Sequence, residues 1–132
     1  MTSELSSEGK QMEMQQQHPL VEWLIGQFKR GAIVTHFGYQ DENDAMQTAG
    51  IASAKEAVEI LDNLGSDPRS ALIPLLEDPD WSVRVFAAIY LKKTHPLQAL
   101  AALNDIRSRC PTNAQWTAVR ALGDFESGEP PP

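Results

Sequence analysis

Apolar residues recur at helical spacing along this chain, and prolines, glycines and aspartates divide them into helix-sized segments. Pro19 suits the first turn of a helix that runs to about Val34. Its inward stripe, at i, i+3, i+4 and i+8, consists of Leu20, Trp23, Leu24 and Phe28. The stretch from Thr35 to Gln40 contains Gly38 and interrupts the pattern. We therefore predict that the first helix ends before this stretch.

A second, longer helix is predicted from about Asp41 or Glu42 to Leu64, with Gly65 as its C-terminal stop. Its buried face should consist of Ile51, Ala54, Val58 and Leu61. A different face, which we expect to meet solvent, carries Lys55, Glu59 and Asp62.

Aspartates and prolines mark the next two helices. Asp67 should cap a short helix that begins at Pro68, and Pro74 should kink that helix or restrict it to a turn or two. Asp80 should cap a helix from Trp81 to about Lys93. Apolar residues cover so much of the circumference of this helix that we expect it to be buried on more than one side.

Two further helices complete the predicted fold. The one that follows His95-Pro96 should face inward with Leu97, Leu100, Leu103 and Ile106, and the last should do so with Ala118, Val119, Leu122 and Phe125. Trp23 and Trp116 are expected to be core or helix-packing residues. No segment alternates apolar and polar residues as a half-buried strand does. The fold class is therefore predicted to be all-α, with about six helices in antiparallel pairs.

The two ends of the chain contain few residues that could form a core. Residues 1–18 are rich in Gln, Glu and Ser, and residues 126–132 end in three prolines. Such segments bury too little apolar area to offset the entropy of ordering them. We therefore predict disordered tails at 1–18 and 126–132 and a single helical domain at 19–125, since 132 residues leave room for one domain.

The segment from Leu75 to Leu91 reads LLEDPDWSVRVFAAIYL and resembles a HEAT repeat: leucines, an Asp, a turn, Val-Arg, and a spaced Ala-Ala-x-x-Leu. The stretch from Asp67 to Ile106 also resembles a bacterial family known as domain of unknown function 2019. Its motif residues are matched by Arg69, Ala71, Leu72, Pro74, Leu75, Pro79, Val83 and Arg84. A HEAT-like fold implies protein binding. The resemblance implies that Arg84 braces the turn against acids of an adjacent unit, and contact with a partner is the alternative.

Charge is unevenly distributed in this acidic chain, whose net charge is −7. Ten acids and two bases lie between Asp41 and Asp80, whereas one acid and six bases lie between Trp81 and Gly123. A net acidic chain is poorly suited to nucleic acid, because phosphate binding requires a basic surface. An acidic surface recognises basic proteins quickly and selectively. The expected partner is therefore a protein with a basic surface.

The candidate partner-binding site comprises Asp41, Glu42, Asp44, Glu56, Glu59, Asp62, Glu77, Asp78 and Trp81. Trp81 could be an apolar anchor, because tryptophan is enriched in binding hot spots; packing over the neighbouring helix turn is the alternative. The acids around Asp41 and Asp80 also suit helix N-termini, so capping is the competing explanation for them.

No motif for catalysis or for a metal is found in the sequence. The three histidines are far apart, Cys110 is the only cysteine, and the acidic runs lack the spacing of a calcium loop. We therefore expect no enzyme activity, no metal and no cofactor. No segment has the ~20 apolar residues of a membrane helix, and no signal peptide is recognisable. The expected location is the cytoplasm, without membrane association.

Size, charge and fold together favour a small immunity protein or inhibitor. Such a protein would neutralise a toxin or enzyme by blocking its basic surface, for example on a toxin effector domain. The alternative is an adaptor or scaffold protein in a bacterial regulatory assembly.

Overall fold

Six helices contain most of the residues that the computed structural model describes, which are 19–65, 67–112 and 114–127. They are α1 (Pro19–Gln40), α2 (Asp44–Leu61), a 3₁₀ helix (Pro68–Glu77), α3 (Trp81–Leu91), α4 (Pro96–Arg109) and α5 (Ala114–Ser127). No strand occurs among the described residues, so the prediction of an all-α fold is confirmed. The predicted tail at 1–18 and the last five residues of the other tail lie outside the described ranges. The α5 helix extends two residues past the predicted boundary at 125.

Side-chain hydrogen bonds show that α1 and α2 form an antiparallel pair. Gln27 Nε2 donates to the Ser53 carbonyl oxygen at 3.0 Å, while Gln47 Nε2 donates to the Gly38 carbonyl oxygen at 3.1 Å. Positions later in α1 therefore lie opposite positions earlier in α2. Gln27 is buried in this contact, and its hydrogen bond explains how a polar side chain is accommodated there.

The predicted end of the first helix near Val34 is wrong, because α1 continues to Gln40. Thr35 is fully buried within the helix, and its Oγ1 donates to the Gly31 carbonyl oxygen at 2.7 Å. Gly38 does not break the helix either. A Cβ atom built on Gly38 would lie 2.7 Å from Gln47 N, so this glycine allows α2 to approach.

The second helix is shorter at both ends than the sequence predicted. It begins at Asp44, because Asn43 is the N-cap and its Oδ1 accepts a hydrogen bond from Met46 N at 3.0 Å. Glu42 precedes the cap with a φ of 52°, a left-handed conformation that cannot continue a right-handed helix. Ile51, predicted to be buried, is 40% exposed, so its predicted position is wrong.

The next two helices begin at Pro68 and Trp81 as predicted, but the side chain of Asp67 makes no capping hydrogen bond, so the prediction that it caps the first of them is wrong. Pro68–Glu77 is a 3₁₀ helix that contains Pro74 and spans ten residues, about three turns, so the predicted restriction to a turn or two is wrong. Asp80 caps α3, since its Oδ1 accepts from Ser82 N at 2.8 Å. The α3 helix ends at Leu91, short of the predicted Lys93.

Two apolar clusters lie on either side of α3. The first joins α1, α2, the 3₁₀ helix and α3 around Leu24, Phe28, Val58, Leu61, Leu72 and Val83. The second joins α3, α4 and α5 around Val85, Ala88, Leu103, Ile106, Ala118 and Leu122. The expectation that α3 is buried on more than one side is therefore confirmed.

Several large apolar residues predicted to face inward are instead exposed. They are Leu20, Trp23, Leu97, Trp116 and Val119. Among the α5 residues whose burial is described, which are 114–123, the buried ones are Ala114, Ala118, Ala121 and Leu122, and the predicted inward position of Phe125 lies outside that range. Trp116 is two residues and about 200° away from Ala118 around the helix, so it points to solvent.

Candidate protein-binding surfaces

The exposed side of α2 carries three carboxylates, Asp44, Glu56 and Glu59, here called the acidic face of α2, and the exposed Lys55 lies among them. All three residues are exposed. None of them forms an ion pair with another described residue. Asp44 and Glu56 are twelve residues apart, which corresponds to about 18 Å along the helix axis. The prediction that Glu59 faces solvent is confirmed, and so are those for Lys55 and Asp62.

The acids before α2 are not explained by capping of the helix. The cap is Asn43, and the side chains of Asp41 and Glu42 are exposed in the turn that precedes it. Asp44 lies in the first turn of α2, where a negative charge stabilises the helix N-terminus. Asp41 and Glu42 thus extend the negative charge of the acidic face beyond the helix.

Asp62 is exposed but joined to the rest of the fold. Its two carboxylate oxygens accept from Nε and Nη2 of Arg69, each at 3.0 Å. The same guanidinium donates from Nη1 to the Tyr90 carbonyl oxygen at 2.7 Å and lies 6.0 Å from the Tyr90 ring centroid. Burial raises the pKa of the Tyr90 phenol; Arg69 opposes this effect and Glu59 reinforces it. Asp62 therefore connects the end of α2 to the 3₁₀ helix and α3.

Asp78 is also engaged within the chain. Its side chain is only 9% exposed, and its Oδ1 lies 3.0 Å from the Lys29 ammonium. Its Oδ2 accepts from Asp80 N at 3.0 Å. Glu77, the neighbouring residue, is exposed. Asp78 thus fixes the turn against α1, while Glu77 keeps its carboxylate in solvent.

Trp81 is half-buried and lies beside two arginines of the same chain. The guanidinium of Arg84 is 4.3 Å from the Trp81 ring centroid, and that of Arg109 is 6.0 Å away. Arg84 Nε also donates to the Asp78 carbonyl oxygen. Arg84 therefore holds the turn together, and the cation–π contacts cover part of the surface that Trp81 would offer to a partner.

The predicted site residues do not form one continuous surface. Gly31 abuts α2, whereas Lys29, which holds Asp78, is two residues and about 200° away around α1. The turn that contains Glu77, Asp78 and Trp81 therefore lies against a different side of α1 from α2. Glu56 and Glu59 lie close together on α2, with Asp44 about 18 Å from Glu56 along the same helix, and all three are separated from that turn.

A second surface was missed because its aromatic residue was expected to pack inside. Trp116 in α5 is 71% exposed, and Val119 and Arg120, on the same side of the helix, are exposed as well. The alanines that recur at positions 114, 118 and 121 are the signal that could have identified the buried face of this helix. The prediction that Trp116 is buried was wrong because it rested on the hydrophobicity of the side chain alone.

A shallow cleft lies between α1, α3 and α5. Its lining includes His36, Tyr39, Phe86 and Thr117, and its empty volume is about 210 Å³, including the solvent above it. Small-molecule sites usually enclose about 300–1,000 Å³. This cleft is therefore smaller than a typical ligand pocket.

Metal ligands do not cluster among the described residues, and the thiol of Cys110 is buried. Within residues 19–65, 67–112 and 114–127, no group of three or more His, Cys, Asp or Glu side chains could hold a metal ion. Cys110 is buried in the second apolar cluster, with its Sγ 3.2 Å from Thr112 Oγ1. None of the helices in the described ranges is long and apolar enough to cross a membrane.

Comparisons with protein-family models, with curated proteins and with solved structures find no match for this chain. The resemblance to HEAT repeats and to domain of unknown function 2019 therefore stays a prediction. What the chain binds has to be argued from its own exposed surfaces.

Proposed function

We propose that this chain is a protein-binding module whose partner is a protein with a basic surface. The observation that carries the proposal is the acidic face of α2, where Asp44, Glu56 and Glu59 are exposed without ion pairs among the described residues. Glu56 and Glu59 are three residues apart on the helix surface, and like charges at that spacing repel each other. A partner with opposite charge would relieve that repulsion.

The shape of this face also suits a protein partner. Ala45, Ala49 and Ala52 are exposed on the same side of α2 as Glu56, at helical spacings of four, seven and eleven residues from Ala45. Small side chains let a partner approach the helix closely while the carboxylates supply attraction. An extended surface of low relief is typical of a protein–protein interface rather than of a small-molecule site.

The role we propose is inhibition, in the manner of a small cytoplasmic immunity protein that covers the basic surface of a toxin or enzyme. An inhibitor of this kind needs no catalytic group of its own. It needs a stable helical face and fast association, and complementary charge increases the association rate.

The test uses three forms of the full chain as baits in a lysate of the source cells: the native protein, Glu56→Lys/Glu59→Lys, and the matched control Glu22→Lys/Glu77→Lys. Both variants change the net charge equally, and all four glutamates are exposed. A protein retained by the native bait and the control but lost by Glu56→Lys/Glu59→Lys should have a basic surface. Its association rate with purified protein should fall at least about tenfold for the α2 variant and fall with added salt.

A growth assay then tests the inhibitory role. The captured protein should reduce growth when expressed alone, and co-expression of the native chain, but not of Glu56→Lys/Glu59→Lys, should restore it. Equal capture and equal association rates for the two charge variants would contradict the assignment of the acidic face as the binding site.

A further inference from the structure

The side of α1 that points to solvent carries a tryptophan, a glycine and two opposite charges. It is here called the α1 outer face and is defined as Glu22, Trp23, Gly26 and Arg30. Residues three and four apart are neighbours on a helix surface, so Trp23, Glu22 and Arg30 all border Gly26. The two charged residues are exposed, and so is Trp23, by 55%. This face is therefore open to a partner.

Glu22 and Arg30 have no partner for their charges among the described residues, since neither forms an ion pair there. The sequence positions around them offer none either. No Lys, Arg, Asp or Glu lies three or four residues away from Arg30 or from Glu22; those positions hold Gly26, Gln27, Ile33 and Val34 for the former and His18, Pro19, Ile25 and Gly26 for the latter. The two charges are eight residues apart, about 12 Å along the helix axis.

These two charges are arranged symmetrically about Gly26, which makes the face complementary to itself. Side chains at i, i+4 and i+8 form a ridge, and such ridges pack beside each other where two helices cross. If two α1 helices cross antiparallel at Gly26, the Glu22 of each copy lies level with the Arg30 of the other. A parallel crossing would bring like charges together instead. The charge pattern therefore favours a second copy in the antiparallel direction.

Gly26 allows the two helices to approach each other closely. Apart from its own helix, a Cβ atom built on Gly26 would meet only the Arg30 side chain in the described ranges, with Nη1 at 3.3 Å. The same kind of contact joins α1 and α2 within the chain, where a Cβ atom on Gly31 would lie 2.7 Å from the Gly50 carbonyl oxygen. A close crossing would also cover Trp23, and an aromatic side chain buries roughly 150–250 Å² when it is covered.

We infer that two copies of this chain form a symmetric dimer through the α1 outer face, with the helices antiparallel and Gly26 at the crossing. Arg30 of each copy pairs with Glu22 of the other and lies beside the Trp23 ring of that copy. Since both copies use the same surface, the assembly closes at two. The contact uses no residue of α2, so this inference goes beyond the proposed function and does not depend on it.

Charge variants of the full chain test the pairing by sedimentation velocity at concentrations up to about 1 mM. Glu22→Arg and Arg30→Glu each place like charges at both pairs and should weaken the dimer at least about tenfold. An equimolar mixture of these two variants restores both pairs and should dimerise within about threefold of the native protein. The matched controls Glu77→Arg and Arg107→Glu make the same charge changes at exposed positions outside the face. They should leave the dimer unchanged, alone and mixed.

The close crossing has its own test. Gly26→Leu adds apolar surface, which would strengthen a non-specific apolar contact. It should instead weaken the dimer at least about tenfold, because the leucine keeps the helices apart. Trp23→Ser should weaken the dimer by roughly tenfold, whereas Trp116→Ser should not, although Trp116 is 71% exposed. Circular dichroism checks that each variant is folded.

Three results would overturn the inference: a native protein that is monomeric at every concentration, a mixture of the two charge variants that stays monomeric, or a Gly26→Leu protein that dimerises as well as the native one. Capture of the basic partner is a separate measurement. Glu22→Lys/Glu77→Lys should lose the dimer and still capture that partner, because both changes lie outside α2. Capture by a protein that never dimerises would refute only the dimer, and a dimer that captures no basic protein would refute only the proposed function.

Discussion

The α1–α2 pair and the α4–α5 pair achieve close packing in opposite ways. In the α1–α2 pair the backbones themselves meet: a Cβ atom on Gly50 would lie 2.6 Å from the Gly31 carbonyl oxygen and 2.6 Å from Thr35 N. In the α4–α5 pair the space is filled by side chains, with Leu103 and Ile106 packed in a cluster that includes Ala118. The α1–α2 interface requires glycines, which have no Cβ atom, whereas the α4–α5 interface requires side chains that fill the space between the helices.

The two helix pairs should therefore be sensitive to different kinds of substitution. Protein interiors are packed as densely as organic crystals, so an added methyl group has no room at a backbone crossing. A removed side chain leaves a cavity that the surroundings fill only in part. A larger side chain should therefore destabilise the α1–α2 pair, and a smaller side chain should destabilise the α4–α5 pair.

The largest expected effect is in the α4–α5 pair. Leu103→Ala should lower the free energy of unfolding by about 2–5 kcal/mol, because Leu103 is fully buried and the substitution leaves a cavity. Urea denaturation followed by circular dichroism measures this change. The control is Leu97→Ala in the same helix, which should cost less than about 0.5 kcal/mol because Leu97 is exposed. Equal losses for the two variants would mean that the second cluster is misassigned.

The α1–α2 pair should be broken by one added methyl group. Gly50→Ala should lower the free energy of unfolding by about 1–3 kcal/mol, because the new Cβ meets backbone atoms of α1 and the helices must separate. Gly26→Ala is the matched control in α1, since its Cβ would meet chiefly the flexible end of Arg30, at 3.3 Å. That control should leave stability unchanged or raise it slightly. Thermal unfolding measures the stability of both variants. A Gly50→Ala protein as stable as the native one would contradict the close crossing of α1 and α2.

The sequence predicted the fold class because helical periodicity and capping residues are local signals. Asp80 could be recognised as a cap, and the two-sided burial of α3 followed from its apolar circumference. The length of α1 could not be predicted in this way. In the sequence, a glycine that ends a helix looks the same as a glycine inside a helix that lets a second helix pack closely, and Gly38 is of the second kind. The role of Gly38 is determined by its tertiary contact with α2, which the local sequence does not reveal.

The candidate site was predicted in part for the same reason. Exposure of Glu59 follows from its position on α2, a local property. The ion pair between Asp78 and Lys29 joins residues 49 positions apart, and no pattern near Asp78 announces it. The exposure of Trp116 was predictable only by giving weight to the alanine spacing of α5 over the hydrophobicity of tryptophan. Charge segregation indicated what kind of partner to expect, and tertiary contacts determined which charges remain available.

The smallest expected effect is a gain in the free energy of unfolding, caused by a substitution in the α4–α5 pair. Gly123 lies inside α5, and a Cβ atom built on it would meet nothing within 4 Å. Gly123→Ala should therefore raise the free energy of unfolding by about 0.5–1 kcal/mol, because alanine loses less backbone entropy in a helix and finds no clash there. Urea denaturation followed by circular dichroism measures the gain. Since Gly50→Ala makes the same chemical change, a gain at position 123 beside a loss at position 50 would show that the cost arises from the crossing of α1 and α2. A loss at both positions would instead mean that the outer face of α5 is covered within the molecule.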